Sequence, residues 1–579
     1  MRKILLLLLC WGGGLRAQTI QVSGAVEDSI THRPIAGVAV SVINDTTRKV
    51  LTNVFGLFKI AIPEAAAQLR LEQDGYHTRV LTVSSHDRLL ITLSPIRKQG
   101  DAIAMAKARA RAKQNGNPNY GNVGMGVHAF YNETYGATYE NKFVRARKQP
   151  VSNFAVDVDR AAYSNIRRFL RMKTPVPVDA VRIEEMVNYF HYSYPLPPSG
   201  EVMALYSNYT SCPWEPSHML LQIALRAQSI QIDSLPASNL VFLIDVSGSM
   251  DTPNKLPLIQ AAFRILVNNL RPVDKVAIIA YAGAPDLVLP PTSGDQREKI
   301  LNAIDNLTAG GATAGEAAIT MAYKIAEEQF IPDGNNRVIL ATDGDFNVGL
   351  TSDADMEELI TEKKQNGVLL TCLGFGMKNY KDSKLQALSS RGNGNFAYID
   401  DLEEANKIFA REFGSTLFTI ARDVQTEVHF NPGMVKSYRL IGYENKVFEN
   451  DVPEDKRSGG IIGSGHCAVA LYEIMPEEAA TDTLLATVNI VYRNPQDTAL
   501  QTLSGNVSGK LTAFEDASDD YRFAASVALL GMVLRNSAYR GCGNADMIFR
   551  IARGALGKDK EGYRQEFLKM IKQVRKAKE

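Results

Sequence analysis

Val241-Phe-Leu-Ile-Asp-Val-Ser-Gly-Ser-Met-Asp251 is the stretch from which the fold is read. Its four leading apolar residues read as a buried strand of a parallel sheet. Asp245, Ser247 and Ser249 follow at two-residue spacing, with Gly248 between the serines. That is an oxygen-rich turn at a strand's carboxyl end, where open α/β sheets place their ligands. One carboxylate and two hydroxyls on a tight turn suit a hard divalent cation, because all three are oxygen ligands. Polar strand-to-helix turns are common, so the short pattern by itself does not separate a metal site from ordinary loop chemistry. The neighbouring stretches decide.

Outward from that turn, Ile259, Ala262, Phe263, Leu266, Val267 and Leu270 form a helical apolar stripe. Strands are expected at Val276–Tyr281, Val338–Thr342, Val368–Leu373 and Phe396–Ile399, each followed by a helical pattern. Alternation of this kind means a doubly wound parallel sheet, here over residues 238–420. Two further loops reach the edge that carries Asp245. Ala309-Gly-Gly-Ala-Thr-Ala-Gly315 supplies Thr313, and its glycines permit close backbone approach. Thr342-Asp-Gly-Asp345 ends a strand and puts Asp343 at the same edge. Two carboxylates and three hydroxyls from three loops suit Mg²⁺, or Mn²⁺, with positions left for water or a partner's oxygen.

With those residues in hand, the segment resembles the von Willebrand factor type A domain and its metal-ion-dependent adhesion site (MIDAS). The family pattern of D-x-S-x-S, then Thr, then Asp is matched by Asp245, Ser247, Ser249, Thr313 and Asp343. The resemblance implies that the serines and the threonine approach the ion and that the aspartates bind it directly or through water. It further implies that a protein partner's Asp or Glu completes the shell.

A chain of 579 residues with 64 basic and 63 acidic side chains has room for several cores and exerts no global pull on nucleic acid or anionic membrane. Arg2 and Lys3 precede the apolar Ile4–Leu9, and a small residue sits at Ala17. This reads as a cleaved signal peptide over 1–17, and no later stretch is long enough to span a bilayer. Periplasmic, outer-membrane-associated or extracellular placement follows. Cys212, Cys372, Cys467 and Cys542 are scattered, with no zinc-type cluster and no assigned pairing.

Residues 20–95 show short strands split by turns, as in a sandwich. Gly24-Ala-Val26, Pro34-Ile-Ala-Gly-Val38, Thr52, Gly56-Leu-Phe58 and Gly75-Tyr76 resemble carboxypeptidase-regulatory-like domains, of transthyretin-like fold. Residues 96–149 read as a solvated spacer, including an Ala/Arg/Lys helix-former from Ala102 to Lys113. In 150–237 a strand is expected at Phe154–Asp159, whose pair Asp157 and Asp159 reads as surface or capping carboxylates, and two packing helices follow it. Residues 421–579 begin β-rich and end helical. Phe154–Phe190, Arg337–Gly349 and Tyr438–Glu444 resemble a bacterial envelope family whose type A domain lies between such flanks. Where that family carries an acidic Asp-Ala-Gly-Glu run, this chain has Ser458-Gly-Gly-Ile461. The fold class expected is therefore multidomain: a β-sandwich, a central α/β domain and a C-terminal α+β domain.

The function expected is a metal-dependent protein–protein interaction module, not an enzyme. The alternative is a Mg²⁺-dependent hydrolase or phosphatase using Asp245 or Asp343. An aspartyl-phosphate mechanism wants a second carboxylate two residues after the first, where this chain has Ser247. A serine nucleophile wants a G-x-S-x-G elbow, and the positions flanking Ser247 hold Asp245 and Ser249. His466, after Gly463-Ser-Gly465, reads as structural. A third reading, a metal that only stabilises the fold, is separated from adhesion by mutating Asp245.

Overall fold

The computed structural model describes residues 19–29, 35–43, 45–53, 56–63, 67–83, 88–94, 127–130, 133–230, 235–282, 284–311, 315–344, 359–363, 366–377, 380–412, 418–444, 459–478, 483–495 and 499–578. The signal segment, the expected helix at 102–113, Thr313, Asp345 and Ser458 lie outside them. The chain divides into two compact units between Val127 and His128.

The first unit contains β1 (Thr19–Asp28), β2 (Ala39–Val42), β3 (Asp45–Leu51), β4 (Leu57–Pro63), β5 (Ala67–Glu72), β6 (Arg79–Val83) and β7 (Arg88–Leu93). They form two sheets, ordered β4-β1-β7 and β3-β2-β5-β6. Their alternate apolar residues, among them Val22, Val40, Phe58, Leu69 and Ile91, close one core. Sequence features quoted above have visible causes. A Cβ at Gly24 would stand 2.7 Å from the Leu89 carbonyl oxygen. The Thr52 hydroxyl donates to Ile35 O (2.6 Å) and accepts from Val38 N (2.9 Å). The Tyr76 hydroxyl donates to Asp28 (3.0 Å).

The boundary falls within β8 (Val127–Phe130), and the second unit continues with β9 (Glu133–Gly136), β10 (Val144–Arg145) and β11 (Val151–Ser152). Helices α1 (Ala161–Arg171) and α2 (Ile183–Asn188) follow, then the hairpin β12 (Met203–Ser211) and β13 (Met219–Ala227). The alternating segment runs β14 (Ser238–Asp245), α3 (Leu256–Asn268), β15 (Lys275–Tyr281), β16 (Pro285–Ser293), α4 (Arg297–Asp305), α5 (Gly315–Glu328), β17 (Asn335–Thr342), β18 (Leu369–Phe375), α6 (Asp382–Arg391), β19 (Phe396–Ile399) and α7 (Leu402–Asn406). The chain then forms β20 (Thr419–Phe430), β21 (Val435–Ile441), β22 (Gly460–Gly463), β23 (Cys467–Pro476), β24 (Leu484–Arg493) and β25 (Leu500–Ser508). It ends in α8 (Asp519–Leu534), α9 (Ala545–Arg553) and α10 (Tyr563–Lys578).

The central sheet is ordered β16-β15-β14-β17-β18-β19. All its pairs are parallel except β15 with β16. Strand β14 is buried on both faces, as a doubly covered parallel strand must be. Leu240, Phe242 and Ile244 pack toward Ile259 and Phe263 of α3, whereas Val241 and Leu243 pack toward Ile319 and Tyr323 of α5. One expectation is corrected: β15 is followed by an antiparallel edge strand, not directly by a helix. Pro290 and Pro291 hid it, and an edge is the place where a strand tolerates proline.

The segments on either side of this sheet, read separately from sequence, build one β-structure. Strand β13 pairs antiparallel with β23, from Met219 opposite Ile474 to Arg226 opposite Cys467. The resulting sheet, β10-β21-β23-β13-β12, faces a second one, β11-β20-β24-β25, with β22 on β20. Leu221, Ile223 and Leu225 of β13 point to the inter-sheet core with Val428 and Val488. Leu220 and Ala224 point the other way, into a helical layer of α2, α8 and α10. The α/β segment is thus an insertion within a second domain. The spacer expectation also shrinks, because residues 133–149 belong to this unit: Tyr135 is fully buried against Phe169, and the Glu133 carboxylate pairs with Arg168 at 2.7 Å. The polar Asn/Tyr composition there concealed those buried partners. Among the described residues Cys212, Cys372, Cys467 and Cys542 are free thiols.

Candidate metal centre

Asp245 closes β14 opposite Tyr281 of β15, at the carboxyl end of the parallel sheet. Its carboxylate is fully buried and held by neutral donors: Ser247 N donates to Oδ1 and Thr342 Oγ1 to Oδ2, both at 2.9 Å. Burial raises the Asp245 pKa above the usual carboxylate range, and the nearby Asp343 charge adds to the rise. The Ser247 and Thr342 hydrogen bonds oppose it. The Tyr281 phenol, buried beside this charge, is pushed well above its ordinary value.

The serines come together as the spacing requires. Ser247 Oγ and Ser249 Oγ are 3.3 Å apart, and Ser249 Oγ donates to Asp343 Oδ2 at 2.8 Å. Ser247 is buried while Gly248 and Ser249 are exposed, so the cluster has one side open to solvent. Asp343 follows β17 and is fully buried. Gly344 beyond it has φ +84°, and a Cβ there would lie 2.8 Å from Lys381 N. Glycine is what that turn admits.

Four of the five residues expected at the site, Asp245, Ser247, Ser249 and Asp343, therefore stand in one hydrogen-bonded cluster. Thr313 lies outside the described residues, but the loop leading to it is stitched to the Asp245 turn. Gly310 N donates to Val246 O (2.7 Å) and Gly248 N to Gly311 O (3.1 Å). The donor set is oxygen throughout, with two carboxylates and two hydroxyls, and fits a hard divalent cation. Such an ion would supply an electrophilic point that accepts an oxygen from outside.

Sequence reasoning missed three members. Thr342 holds Asp245, Tyr281 borders it, and Lys255 Nζ donates to Asp343 Oδ2 (2.9 Å) and to the Ser249 carbonyl (3.0 Å). Local spacing carries no signal for any of them; the register of β14 with β15 and β17 brings Tyr281 and Thr342 in.

The other tempting groups are structural. The strand expected at Phe154–Asp159 is not one: those residues are irregular, and Asp159 accepts from Phe396 N at 2.8 Å and so caps β19. His466 Nε2 meets the Val156 carbonyl at 3.2 Å, and burial lowers its pKa to about 4. At the departure from the acidic run, a Cβ on Gly459 would overlap the Asp423 backbone, and one on Gly460 would stand 2.8 Å from Asp157 Oδ1. Neither position has room for a side chain of its own.

Residues 239–411 match the family model of the von Willebrand factor type A domain, and residues 129–222 one described as von Willebrand factor. Residues 21–94 match the carboxypeptidase regulatory-like domain, and residues 415–577 the C-terminal region of uncharacterized protein YfbK. Over 458 residues, 75% of this chain and 79% of the relative, the sequence is 37% identical to YfbK of Escherichia coli (strain K12). The chain belongs to the YfbK family. A partial relative is inter-alpha-trypsin inhibitor heavy chain H4 of Bos taurus, 28% identical over 192 residues that make up 31% of this chain and 21% of that protein. A solved von Willebrand factor type A protein from Catenulispora acidiphila aligns with 64% of this chain and 89% of its own, at 17% identity and TM-score 0.37.

Residues 239–411 are a type A domain, and such domains typically mediate protein–protein interaction and commonly bind a divalent metal. Among the described residues, no helix of this YfbK relative is long and apolar enough to cross a membrane.

Proposed function

We propose that this protein is a divalent-cation-dependent protein-interaction module of the bacterial cell envelope. Mg²⁺, or Mn²⁺, is held by Asp245, Ser247, Ser249, Thr313 and Asp343 and binds an Asp or Glu of a protein partner. The observation that carries this reading is the convergence of Asp245, Ser247, Ser249 and Asp343 at the solvent-open end of the central parallel sheet. A cation seated there presents a positive point to an incoming carboxylate, a charge-assisted contact that is strong and directional. The leader pattern of Arg2–Ala17 supports the envelope location.

Catalysis is the poorer reading. The position two residues after Asp245 is Ser247, whose main-chain N–H is spent on the Asp245 carboxylate, and no acid or base lies there to move a proton. The test is a peptide-display selection run in Mg²⁺ and repeated in EDTA. Acidic peptides that are recovered only with metal and are lost on Asp245→Ala uphold the reading. Ligands that bind equally in EDTA, or selections with no preference for Asp or Glu, overturn it.

A further inference from the structure

Lys255 is part of the centre's architecture, although no chemical pattern in the sequence marks it. Its ammonium lies on Asp343 Oδ2 and on the Ser249 carbonyl, at 2.9 and 3.0 Å, and the residue is 6% exposed. The aliphatic stem runs through a slot that only glycine leaves open. Gly376 has φ +80°, and a Cβ there would overlap Lys255 Cε and stand 2.7 Å from Cγ. Tyr398 fixes that glycine by donating its hydroxyl to Gly376 O at 2.5 Å. Lys255 N donates to Thr252 O at 3.0 Å, and Pro257 opens helix α3 just beyond. The ammonium is therefore held by the core and is not a surface side chain that happens to fold over a carboxylate.

We infer that Lys255 is a built-in counter-cation of the metal centre, lowering its affinity for a divalent ion and leaving the loaded site positively charged toward a partner's carboxylate. This rests on the metal-centre reading above. Among the described residues of the centre, Asp245 and Asp343 carry two negative charges and Lys255 returns one. A divalent ion then leaves one positive charge, which a single partner carboxylate neutralises. Without the ammonium, the two aspartates would balance the same ion, and an incoming carboxylate would be drawn to it more weakly. An ammonium held on Asp343 Oδ2 would also repel a divalent ion taken by that carboxylate, and the burial of both side chains limits the screening.

Calorimetric titration of Mg²⁺ into the metal-stripped protein tests this, with wild type beside Lys255→Met, which keeps the stem and removes the charge. The Mg²⁺ Kd should fall about tenfold or more in the variant. Lys255→Arg should stay within about threefold of wild type, since the charge is kept. Acetate titrated into the Mg²⁺-saturated proteins should bind Lys255→Met at least about threefold more weakly. Circular dichroism checks folding; if Lys255→Met does not fold, Lys255→Gln, which keeps a donor for Asp343, carries the same expectations. A Mg²⁺ Kd unchanged or raised in the neutral variant overturns the inference and leaves the metal centre standing. An acetate affinity that does not fall overturns the charge-balance half. Mg²⁺ binding in neither protein overturns both the inference and the metal centre, and binding in the neutral variant alone upholds the affinity half of the inference while overturning the metal-dependent function.

Discussion

At the residue scale, the account turns on a buried carboxylate held by hydroxyls and an amide. Because burial raises the Asp245 pKa, folding favours its protonated form, so the metal-free protein loses stability as pH rises from the unfolded carboxylate range through the folded value. The charged carboxylate carries that cost, and a bound cation relieves it. Asp245→Asn should therefore melt no lower than wild type at pH 7 in EDTA, and should gain nothing from Mg²⁺ where wild type gains; differential scanning fluorimetry reads both. His466 works in the opposite sense. Its folded pKa of about 4 lies below the ordinary histidine value, so its contribution is present at neutral pH and is lost as pH falls from about 6.5 through 4. The full shift corresponds to about 3 kcal/mol, an upper bound since the ring keeps some exposure. His466→Asn should flatten that part of a stability-versus-pH curve measured by urea unfolding. Asp245, Ser247, Ser249 and Asp343 were legible because their chemistry and spacing are local. Thr342, Tyr281 and Lys255 were not, because strand register and a glycine slot place them.

At the element scale, the alternation of strands and helices was legible from apolar periodicity, and the two faces of β14 divide between α3 and α5 as that pattern requires. Strand β16 was not, since two prolines interrupt its β pattern. The turn after β17 depends on Gly344, whose positive φ and contact with Lys381 N exclude a side chain. Gly344→Ala should destabilise the protein by about 1–3 kcal/mol and displace Asp343. The urea midpoint measures the first effect and loss of Mg²⁺ binding the second; an unchanged midpoint would mean that the turn relaxes without strain.

At the scale of the whole second unit, the α/β segment is inserted into a domain whose halves come from before and after it. The sequence shows each half but not their pairing, because β13 and β23 lie more than two hundred residues apart and no local pattern encodes a partner that remote. Ion pairs tie the insert to its host. Arg167 of α1, 1% exposed, bonds Asp400, Glu404 of α7 (2.7 Å) and Glu566 of α10 (3.0 Å), while Arg182 reaches Asp382 of α6 at 2.6 Å. Arg167→Met should cost about 3–5 kcal/mol, since it takes the nearest cation from two buried carboxylates, and the thermal melt reports it. A chain cut after residue 420 would leave β13 without β23 and expose Leu220–Leu225 along an open edge, so it should aggregate on size exclusion. A soluble, monomeric truncation would contradict the shared-sheet architecture.

The central claim is the metal centre itself, and titration calorimetry with Mg²⁺ on metal-stripped wild type beside Asp245→Ala meets it most directly. The account predicts a single site in wild type that is absent from the variant, with the two proteins melting at similar temperatures in EDTA. No binding in wild type, or binding that survives Asp245→Ala, would contradict it.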